Sequence, residues 1–534
     1  MTLPSADSPH QSDLFREDSI LFYGKAGTPL LYVSDLNNKG KTNHMPKFKQ
    51  FHKFQKPLVG LSPESFLDHV ETVIPEEHLC RFVKQVVYSL DTESIEAKYS
   101  FLGQNSYHPK LMLSLLFYGY AIGIRSSRKL AERCMGDHFF IFLMQYYTPD
   151  YRTISDFRKN NIKEIGRYFV EIIRIFKNLG FSKVGKIYVD GTKIKARASS
   201  KRTKDQAGFE KWLDRIDEEI TQLLKEAEAV DFKEDESAKA GEEQEVLMKK
   251  LSKKNHLKSK ITEALKIIKE ENLKKVNLTD SDAVHMKKGG SKDVRPSYNC
   301  QTVVTEEGII TAAEAVKDPN DMNQLEPMIE NTENNTGTAI NEVTADSGYG
   351  TYSTYEYLER KKIDGYVPDR YFSKHKSGEY EKEENRYHYS NFKYDSSTDS
   401  YTCPEGKRLI LWKIRDQKTK ARDWRHKVYK GTQCGDCQSK SLCTKAKKRE
   451  LLIDMREPLL QEMRKKLLSQ EGQNKYFKRQ YTIEPVFGHL KFNLGYKNFL
   501  LRGIEKVNAE FKLMAIGWNL KKMLKLGLKP ALVG

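Results

Sequence analysis

The chain lacks a hydrophobic segment long enough to span a bilayer. Its longest apolar run, from Leu111 to Ile124, contains Ser114 and two tyrosines. A membrane-spanning helix needs about 20 apolar residues, so we interpret this run as a buried helix. The N-terminal residues 1–15 are polar and lack the apolar centre of a signal peptide. We therefore expect a cytoplasmic protein without a membrane partner.

Acidic residues are few relative to basic ones. The 534 residues include 91 Lys and Arg against 73 Asp and Glu, which gives a net charge of +18 and a pI near 9.2. An excess of this size favours a polyanionic partner such as nucleic acid. A solvated basic surface is the alternative interpretation. The length exceeds that of one ordinary core, so we expect several structural units.

Cysteine is also scarce, with seven residues in the whole chain. In a cytoplasmic protein, cysteines indicate metal ligands or buried thiols rather than disulfides. Cys403, Cys434, Cys437 and Cys443 lie close together in the sequence. Four thiolates are the ligands of a structural Zn²⁺ site, and free thiols or a redox function are the alternatives. The other cysteines, which lie in apolar patterns and are predicted to be buried, are Cys80, Cys134 and Cys300.

The sequence pattern divides the chain into successive segments. Residues 1–45 are polar with little periodicity, which predicts a flexible extension. Residues 46–180 carry apolar residues at helical spacing, which is typical of a helical DNA-binding domain or of a plain helical bundle. Residues 181–534 begin with strand patterns and end with helical ones, which indicates an α/β or α+β core. Two polar segments interrupt this core, a predicted helical hairpin at 200–275 and a Cys-containing module at 365–450.

Three acidic residues stand in distinctive local settings. Asp190 and Asp346 each end a predicted β-branched strand, and Glu484 opens a predicted helix just before Pro485. Carboxylates at two strand ends and on a helix over the sheet can converge, and a few carboxylates are enough to hold Mg²⁺. Two such ions about 3.5–4 Å apart support in-line phosphoryl transfer. Turn, cap and helix-dipole roles are the alternatives for each residue taken alone.

Several stretches of the chain resemble bacterial insertion-sequence transposases of the DDE superfamily. They include YVDGTKIKARAS, NLTDSD, DPNDMNQLEPMIE, TADSGY and IEPVFGHLK, in the order of that family. The resemblance implies an α/β fold with an RNase H-like catalytic core, a mixed sheet flanked by helices, behind a helical N-terminal domain. It also implies that Asp190, Asp346 and Glu484 are catalytic and bind two Mg²⁺ or Mn²⁺ ions.

Basic and aromatic residues near these carboxylates are candidate DNA contacts. Lys491 follows Glu484 at the spacing of the family, two helical turns later on one face. Tyr476 and Arg479 lie upstream, and Arg479 is one residue farther from the Glu than in related branches of the family. Phosphate contact and plain surface charge are the two interpretations of these residues. The alternating cations after Asp190, which either grip the cleaved strand or are simply solvated, are Lys193, Lys195 and Arg197.

The resemblance implies that the protein excises and reinserts its own DNA element. It would bind the terminal inverted repeats, cleave DNA at the element ends and join the freed 3′-hydroxyl to target DNA. We expect double-stranded DNA as the partner, a homodimer that holds two ends together, and association with the bacterial nucleoid. The alternatives are an RNase H-like nuclease without strand transfer and a catalytically silent DNA-binding protein derived from a transposase. The helical hairpin is interpreted either as a dimer contact or as a solvated insertion.

Overall fold

The computed structural model describes residues 21–23, 29–31, 69–99, 106–180, 184–231, 239–287, 293–419, 422–527 and 530–531. The predicted flexible extension, residues 1–45, lies outside the described residues except for two short strands. These strands pair with each other and with the last described segment in a small antiparallel sheet. Its strands are β1 (Leu21–Tyr23), β2 (Pro29–Leu31) and β16 (Pro530–Ala531).

The N-terminal part of the described chain is helical, as the apolar spacing predicts. The apolar run that begins at Leu111 forms a helix whose side chains are almost all buried, so the prediction of a buried helix there is confirmed. Pro109 occupies the first turn of this helix, where its missing N–H has no cost. The helices are α1 (Leu79–Tyr88), α2 (Glu93–Glu96), α3 (Pro109–Ala121), α4 (Ser127–Gly136), α5 (His138–Met144), α6 (Tyr151–Asn160) and α7 (Ile162–Asn178).

Two long helices follow the first strand of the central region. Helices α8 (Gln206–Asp231) and α9 (Lys239–Glu270) run antiparallel, with Lys258 of α9 2.6 Å from Asp217 of α8. The apolar contacts between them lie near one end of the pair, around Phe209, Ile216, Ile261, Ala264 and Ile268. At that end the chain forms a short pair of strands, β4 (Thr203–Lys204) and β5 (Val276–Asn277).

A mixed sheet of six strands forms the centre of the molecule. The order is β10-β9-β3-β7-β6, with β8 beside β7. Strand β3 is antiparallel to β7 and parallel to β9, and β8 continues the antiparallel part. The predicted hairpin around Glu306-Glu307 is confirmed by the pairing of β7 with β8. The strands are β3 (Lys186–Lys195), β6 (Val284–Lys287), β7 (Val294–Thr305), β8 (Ile310–Val316), β9 (Glu342–Ala345) and β10 (Asp364–Tyr366).

The prediction that Asp190 ends a strand is wrong. Strand β3 continues to Lys195, and Asp190 is paired with Thr302 in its middle. In the sequence, Gly191 looks like the end of the strand. The strand continues because the long strand β7 pairs with it beyond Gly191, as far as Lys195 opposite Ser297. Asp346 does follow the last residue of β9 directly, as predicted.

Helices cover both faces of the central sheet. On one face, α10 (Leu325–Thr336) and α11 (Tyr352–Lys361) pack over Ile187 and Val189 of β3. On the other face, Tyr188 and Ile194 belong to a larger core that includes α3 and α7. Alternating side chains of one strand therefore enter two separate cores.

A second sheet follows the central sheet in the sequence and precedes the C-terminal helices. Its five strands pair antiparallel in chain order. Trp412 is half-exposed and lies at a register shift in the long central hairpin. The ammonium groups of Lys413 and Lys430 each lie 4.1 Å from the centre of its ring. The elements of this region are α12 (Phe372–Lys376), β11 (Lys393–Asp395), β12 (Ser400–Thr402), β13 (Arg408–Thr419), β14 (Arg422–Gly431), α13 (Lys440–Cys443) and β15 (Glu450–Asp454).

The C-terminal helices return to the N-terminal ones. The last helix packs against α3 and α7 and closes the larger core. The Tyr496 hydroxyl donates a hydrogen bond to the Tyr120 carbonyl, and Arg125 forms a buried 2.9 Å ion pair with Glu510. Within the described ranges, no helix is both long and apolar enough to cross a membrane. The C-terminal helices are α14 (Glu457–Leu468), α15 (Gln470–Thr482), α16 (Glu484–Gly488) and α17 (Ile504–Lys525).

Candidate active site

The fold brings the three predicted carboxylates to one face of the central sheet. Val189 of β3 is in parallel register with Ala345 of β9. Asp190 and Asp346 are the next residues on these neighbouring strands, so they lie side by side. Glu484 is the first residue of α16, whose Val486 and Phe487 side chains pack into the larger core on this face.

Arg479 of α15 joins the three carboxylates. Its Nη2 lies 3.0 Å from Asp190 Oδ2 and 3.8 Å from Asp346 Oδ2. Its Nη1 lies 3.5 Å from Glu484 Oε1. The Arg479 side chain is only 11% exposed, and its Nε is buried without a hydrogen-bond partner among the described residues. A single guanidinium therefore stands where the three acidic side chains meet.

Burial makes this acidic group costly to keep charged. Burial raises the pKa of Asp190 to about 6. The charge of Arg479 acts against this shift, and the charge of Asp346 adds to it. Burial also raises the pKa of Asp346, and Arg479 again opposes the shift. Burial alone would lower the pKa of Arg479, but Asp190 and Asp346 outweigh it and the pKa is raised. The site therefore favours positive charge beside its carboxylates.

Two of the predicted DNA contacts lie in this site. Lys491 donates a hydrogen bond from Nζ to Thr192 Oγ1 of β3, two residues beyond Asp190. Tyr476 is one turn before Arg479 on α15 and packs beside Tyr366 and Phe372. Burial raises the pKa of Tyr476. The structure thus places Lys491, Tyr476 and Arg479 around the triad.

The three cations that follow Asp190 lie elsewhere. Side chains alternate along a strand, so Lys193 and Lys195 face the side of the sheet opposite to Asp190. Lys193 Nζ donates to the Lys287 carbonyl at 3.1 Å. Arg197 Nη1 donates to the Leu500 carbonyl at 3.1 Å. The structure does not bring these three side chains together with the carboxylates, and their contact with DNA stays a prediction.

A further acidic residue of this region was missed by the sequence reasoning. Asp321, in the loop between β8 and α10, accepts hydrogen bonds at Oδ1 from Asn299 and Gln301 of β7. Its charge contributes to the raised pKa of Asp346. The stretch DPNDMNQ resembles the transposase family, but its two aspartates carry no local signal that separates them.

The four clustered cysteines line one cavity of the second sheet. Cys403 lies in the turn between β12 and β13, and its Sγ accepts a hydrogen bond from Lys407 N at 3.4 Å. Cys434 and Cys437 follow β14, and Cys443 ends α13. Burial raises the pKa of the Cys443 thiol, Arg449 lowers it, and the other three thiols raise it further. The remaining cysteines, Cys80, Cys134 and Cys300, are buried as predicted.

A metal site requires several ligand side chains that converge on one point. Among the residues that the structure describes, no group of three or more His, Cys, Asp or Glu side chains has that arrangement. Around the triad, the guanidinium of Arg479 contacts all three carboxylates. The chemistry of the donors nevertheless suits cations, with carboxylate oxygens for Mg²⁺ or Mn²⁺ and four thiols for Zn²⁺.

Two protein families match separate parts of the chain. Residues 68–160 match the transposase domain DUF772, and residues 402–524 match the transposase DDE domain. These matches support an insertion-sequence transposase of the DDE type. The predicted family resemblance is thus confirmed. The match to the transposase DDE domain includes Arg479, Glu484 and Lys491, but it begins after Asp190 and Asp346. No curated protein and no solved structure matches the chain significantly.

Proposed function

We propose that this transposase binds the terminal inverted repeats of its element and catalyses metal-dependent DNA cleavage and strand transfer. The observation that carries the proposal is the convergence of Asp190, Asp346 and Glu484, from three distant segments, on one guanidinium. Three acidic groups that share a single cation, with Asp190 mostly buried and Glu484 half-exposed, are suited to hold divalent ions for phosphoryl transfer.

The sheet order supports an RNase H-like catalytic core. Strands β8, β7 and β3 form an antiparallel group, and β9 and β10 continue the sheet in parallel. The connections from β8 to β9 and from β9 to β10 each contain a helix, as parallel connections require. Asp190 and Asp346 lie on the two adjacent strands where the antiparallel and parallel parts of the sheet meet.

We infer that Asp190, Asp346 and Glu484 would hold Mg²⁺ or Mn²⁺, as two ions. Bound divalent ions would activate the attacking oxygen and neutralise the charge that develops on the phosphate. Without metal, Arg479 neutralises the same carboxylates. When DNA binds, this side chain would turn toward a phosphate, because Arg–phosphate pairs are strong and directional. Lys491, anchored on Thr192, would stabilise phosphate charge beside Asp190.

The remaining residues near the triad have binding roles in this proposal. Tyr476 lies beside Arg479 and would contact the DNA backbone. Lys193, Lys195 and Arg197 would contact DNA that passes the other side of β3. No Ser or Tyr nucleophile is needed, because water and then the DNA 3′-hydroxyl attack phosphorus directly. Positioning of the reacting groups therefore carries much of the catalysis.

We infer that Cys403, Cys434, Cys437 and Cys443 hold a structural Zn²⁺ ion. The support is that all four line one cavity and that a backbone N–H already donates to the Cys403 sulfur. The ion would tie the ends of β13 and β14 to the turn before them. The small apolar core of the second sheet, around Leu409 and Tyr429, explains why such a cross-link is useful.

We infer that the transposase acts on double-stranded DNA as a homodimer, because two element ends must be held for one joining reaction. Its basic charge supports association with the nucleoid.

The long hairpin of β13 and β14 is a further candidate for DNA contact, since residues 408–431 contain nine Lys and Arg against two Asp. Its half-exposed Trp412 offers a flat apolar surface between two lysines.

The test is a cleavage and strand-transfer assay in Mg²⁺. Purified protein is incubated with the DNA that flanks its own gene and with a target plasmid, and joined products are measured. Asp346→Asn should reduce joined products to background. Asp293→Asn, which removes an exposed carboxylate paired with Arg295, is the matched control and should leave them unchanged. Cut ends without joining would indicate a nuclease, and binding without cleavage would indicate a silent DNA-binding protein.

A further inference from the structure

We propose that Asp321 is a fourth acidic residue of the triad site, a positioning residue that fixes Asp346 and adds negative charge toward a bound divalent ion. This inference rests on the proposed function. It concerns a residue in the loop between β8 and α10, ahead of Asp346 in the sequence. Its carboxylate is held at one oxygen by residues of β7 that pair with Gly191 and Lys193. Its other oxygen lies near Gly348, which also borders the Asp346 carboxylate.

One oxygen of Asp321 is held by two amides. Asn299 Nδ2 and Gln301 Nε2 donate to Oδ1 at 2.7 and 2.6 Å. These two residues are two apart on β7, so they share one face of the sheet, and both are almost fully buried. Buried amides of this kind are costly to leave without partners. The position of Asp321 is therefore set by the central sheet rather than by its own loop.

The same network reaches the segment that carries Asp346. Tyr349 is fully buried and donates its hydroxyl to Gln301 Oε1. Gln301 thus binds Asp321 with one end of its amide and Tyr349 with the other. Tyr349 follows Asp346 by three residues, so a shift of Asp321 is transmitted to the turn after β9. This connection is the positioning part of the proposal.

Two glycines allow Asp321 to approach the triad. A Cβ at Gly348 would lie 3.3 Å from Asp321 Oδ2 and 2.9 Å from Asp346 Oδ1. A Cβ at Gly191 would lie 2.6 Å from Asp321 Oδ1. Real Cβ atoms essentially never make contacts under 3.0 Å, so a side chain at Gly191 would displace Asp321 and Gln301, and one at Gly348 would displace Asp346. The missing side chain at Gly191 therefore leaves room for the carboxylate of Asp321.

The charge of Asp321 acts in the direction of cation binding. Arg479 supplies one guanidinium to Asp190, Asp346 and Glu484. Asp321 adds a fourth carboxylate, whose side-chain hydrogen bonds in the described part of the chain come from neutral amides. Neighbouring like charges repel each other until a cation neutralises them. A divalent ion gains more from such a group of carboxylates than a single guanidinium does.

The competing role for Asp321 is a purely structural anchor of the β8–α10 loop. Asp321→Asn separates the two roles. The amide oxygen of Asn can accept from Asn299 and Gln301, so the anchor is retained while the charge is lost. Asp318→Asn is the matched control, because Asp318 lies in the same loop but its carboxylate accepts from Gln324 rather than from the amides of β7.

The experiment is a Mn²⁺ titration of the full-length protein by calorimetry, without DNA. Asp321→Asn should weaken Mn²⁺ binding about 10–100-fold, the usual effect of removing a group that orients metal ligands. Asp318→Asn should leave the affinity within about twofold. Equal affinity of Asp321→Asn and the wild type would overturn the inference while the proposed function stands. Failure of the wild type to bind Mn²⁺ at all would overturn both.

Thermal unfolding of each variant shows whether it folds. If Asp321→Asn does not fold, Asn299→Ala serves as the second variant, because it removes one of the two amides that hold Asp321. Weaker Mn²⁺ binding by Asn299→Ala, with a normal unfolding transition, supports the positioning role. Unchanged binding overturns it.

Discussion

The Arg479 guanidinium lies 3.0 Å from the Asp190 carboxylate and also reaches the two other acidic residues of the triad. An intramolecular cation therefore occupies the point toward which these carboxylates converge. A divalent ion must compete with it for the same negative charge. DNA phosphates offer the guanidinium another partner, so binding of DNA and binding of metal are expected to assist each other.

Replacement of Arg479 by Gln tests this competition. Without DNA, Arg479→Gln should bind Mn²⁺ about tenfold more tightly, because the ion no longer displaces a positive charge. The same variant should cleave DNA more slowly, since the proposed phosphate contact of Arg479 would be lost. Calorimetric Mn²⁺ titration and the cleavage assay measure the two effects. The control is Lys478→Gln, which changes a cation on the same helix that pairs with exposed Glu306. Weaker Mn²⁺ binding by Arg479→Gln than by the wild type would contradict the competition.

The cysteine cavity predicts a specific metal content. The purified protein should contain one Zn²⁺ per chain, measured by mass spectrometry of the metal, and Cys437→Ser should contain much less. A strong chelator should lower the unfolding temperature of the wild type but leave that of the variant nearly unchanged, because folding and metal binding are coupled. Ser439→Ala, two residues later, is the control. A metal-free wild type that responds to no chelator would refute the zinc assignment.

Helix α17 crosses α3 at Gly517. A Cβ at this position would lie 2.7 Å from Ala121 N and 2.8 Å from Tyr120 C, so Gly517→Ala should push the helices apart and reduce the free energy of unfolding by about 1–3 kcal/mol. Gly166→Ala is the matched change in α7, where a Cβ meets nothing within 4 Å. It should stabilise the protein by about 0.5–1 kcal/mol. Urea unfolding of both variants measures this difference, and equal effects would argue against the close crossing.

His375 of α12 predicts a loss of stability at low pH. Burial, together with the charges of Arg464 and His388, lowers its pKa to about 4 against the opposing effect of Asp369. The unfolded chain binds the proton near pH 6.5, so the unfolded state takes up more protons as the pH falls from 6.5 to 4. The contribution of His375 is therefore complete above pH 6.5 and is lost through this range.

His375→Phe, which keeps an aromatic ring beside Tyr380, should lose less free energy of unfolding between pH 7 and pH 5 than the wild type. Urea unfolding at both pH values measures the change. His138→Phe, which removes a histidine at an exposed position, is the matched control. An identical slope for His375→Phe and the wild type would refute the assignment.

Local sequence signals predicted the parts of the fold that depend on neighbouring residues. The buried helix α3, the hairpin of β7 and β8 and the position of Asp346 after β9 follow from apolar periodicity and turn residues. The extension of β3 beyond Asp190 does not, because it depends on the pairing partner β7. The strand boundary is thus set by a segment more than 100 residues away.

The candidate site was predictable only in its motif residues. Asp190, Asp346 and Glu484 stand in motifs that resemble the transposase family. The shared ion pairs of Arg479 join residues separated by more than 280 positions, and Asp321 becomes visible only through its amide partners on β7. Neither relationship leaves a pattern in the local sequence, because each results from packing of distant segments.

The closure of the larger core by α17 has a consequence for synthesis of the chain. Tyr496 and Tyr120 are hydrogen-bonded across 376 positions. At about 5–20 residues per second, the ribosome needs roughly 20–75 s to make the residues between them. During this interval the apolar surface of α3 lacks its final cover. A premature stop codon before residue 504 would therefore yield an aggregation-prone fragment rather than a smaller, working enzyme.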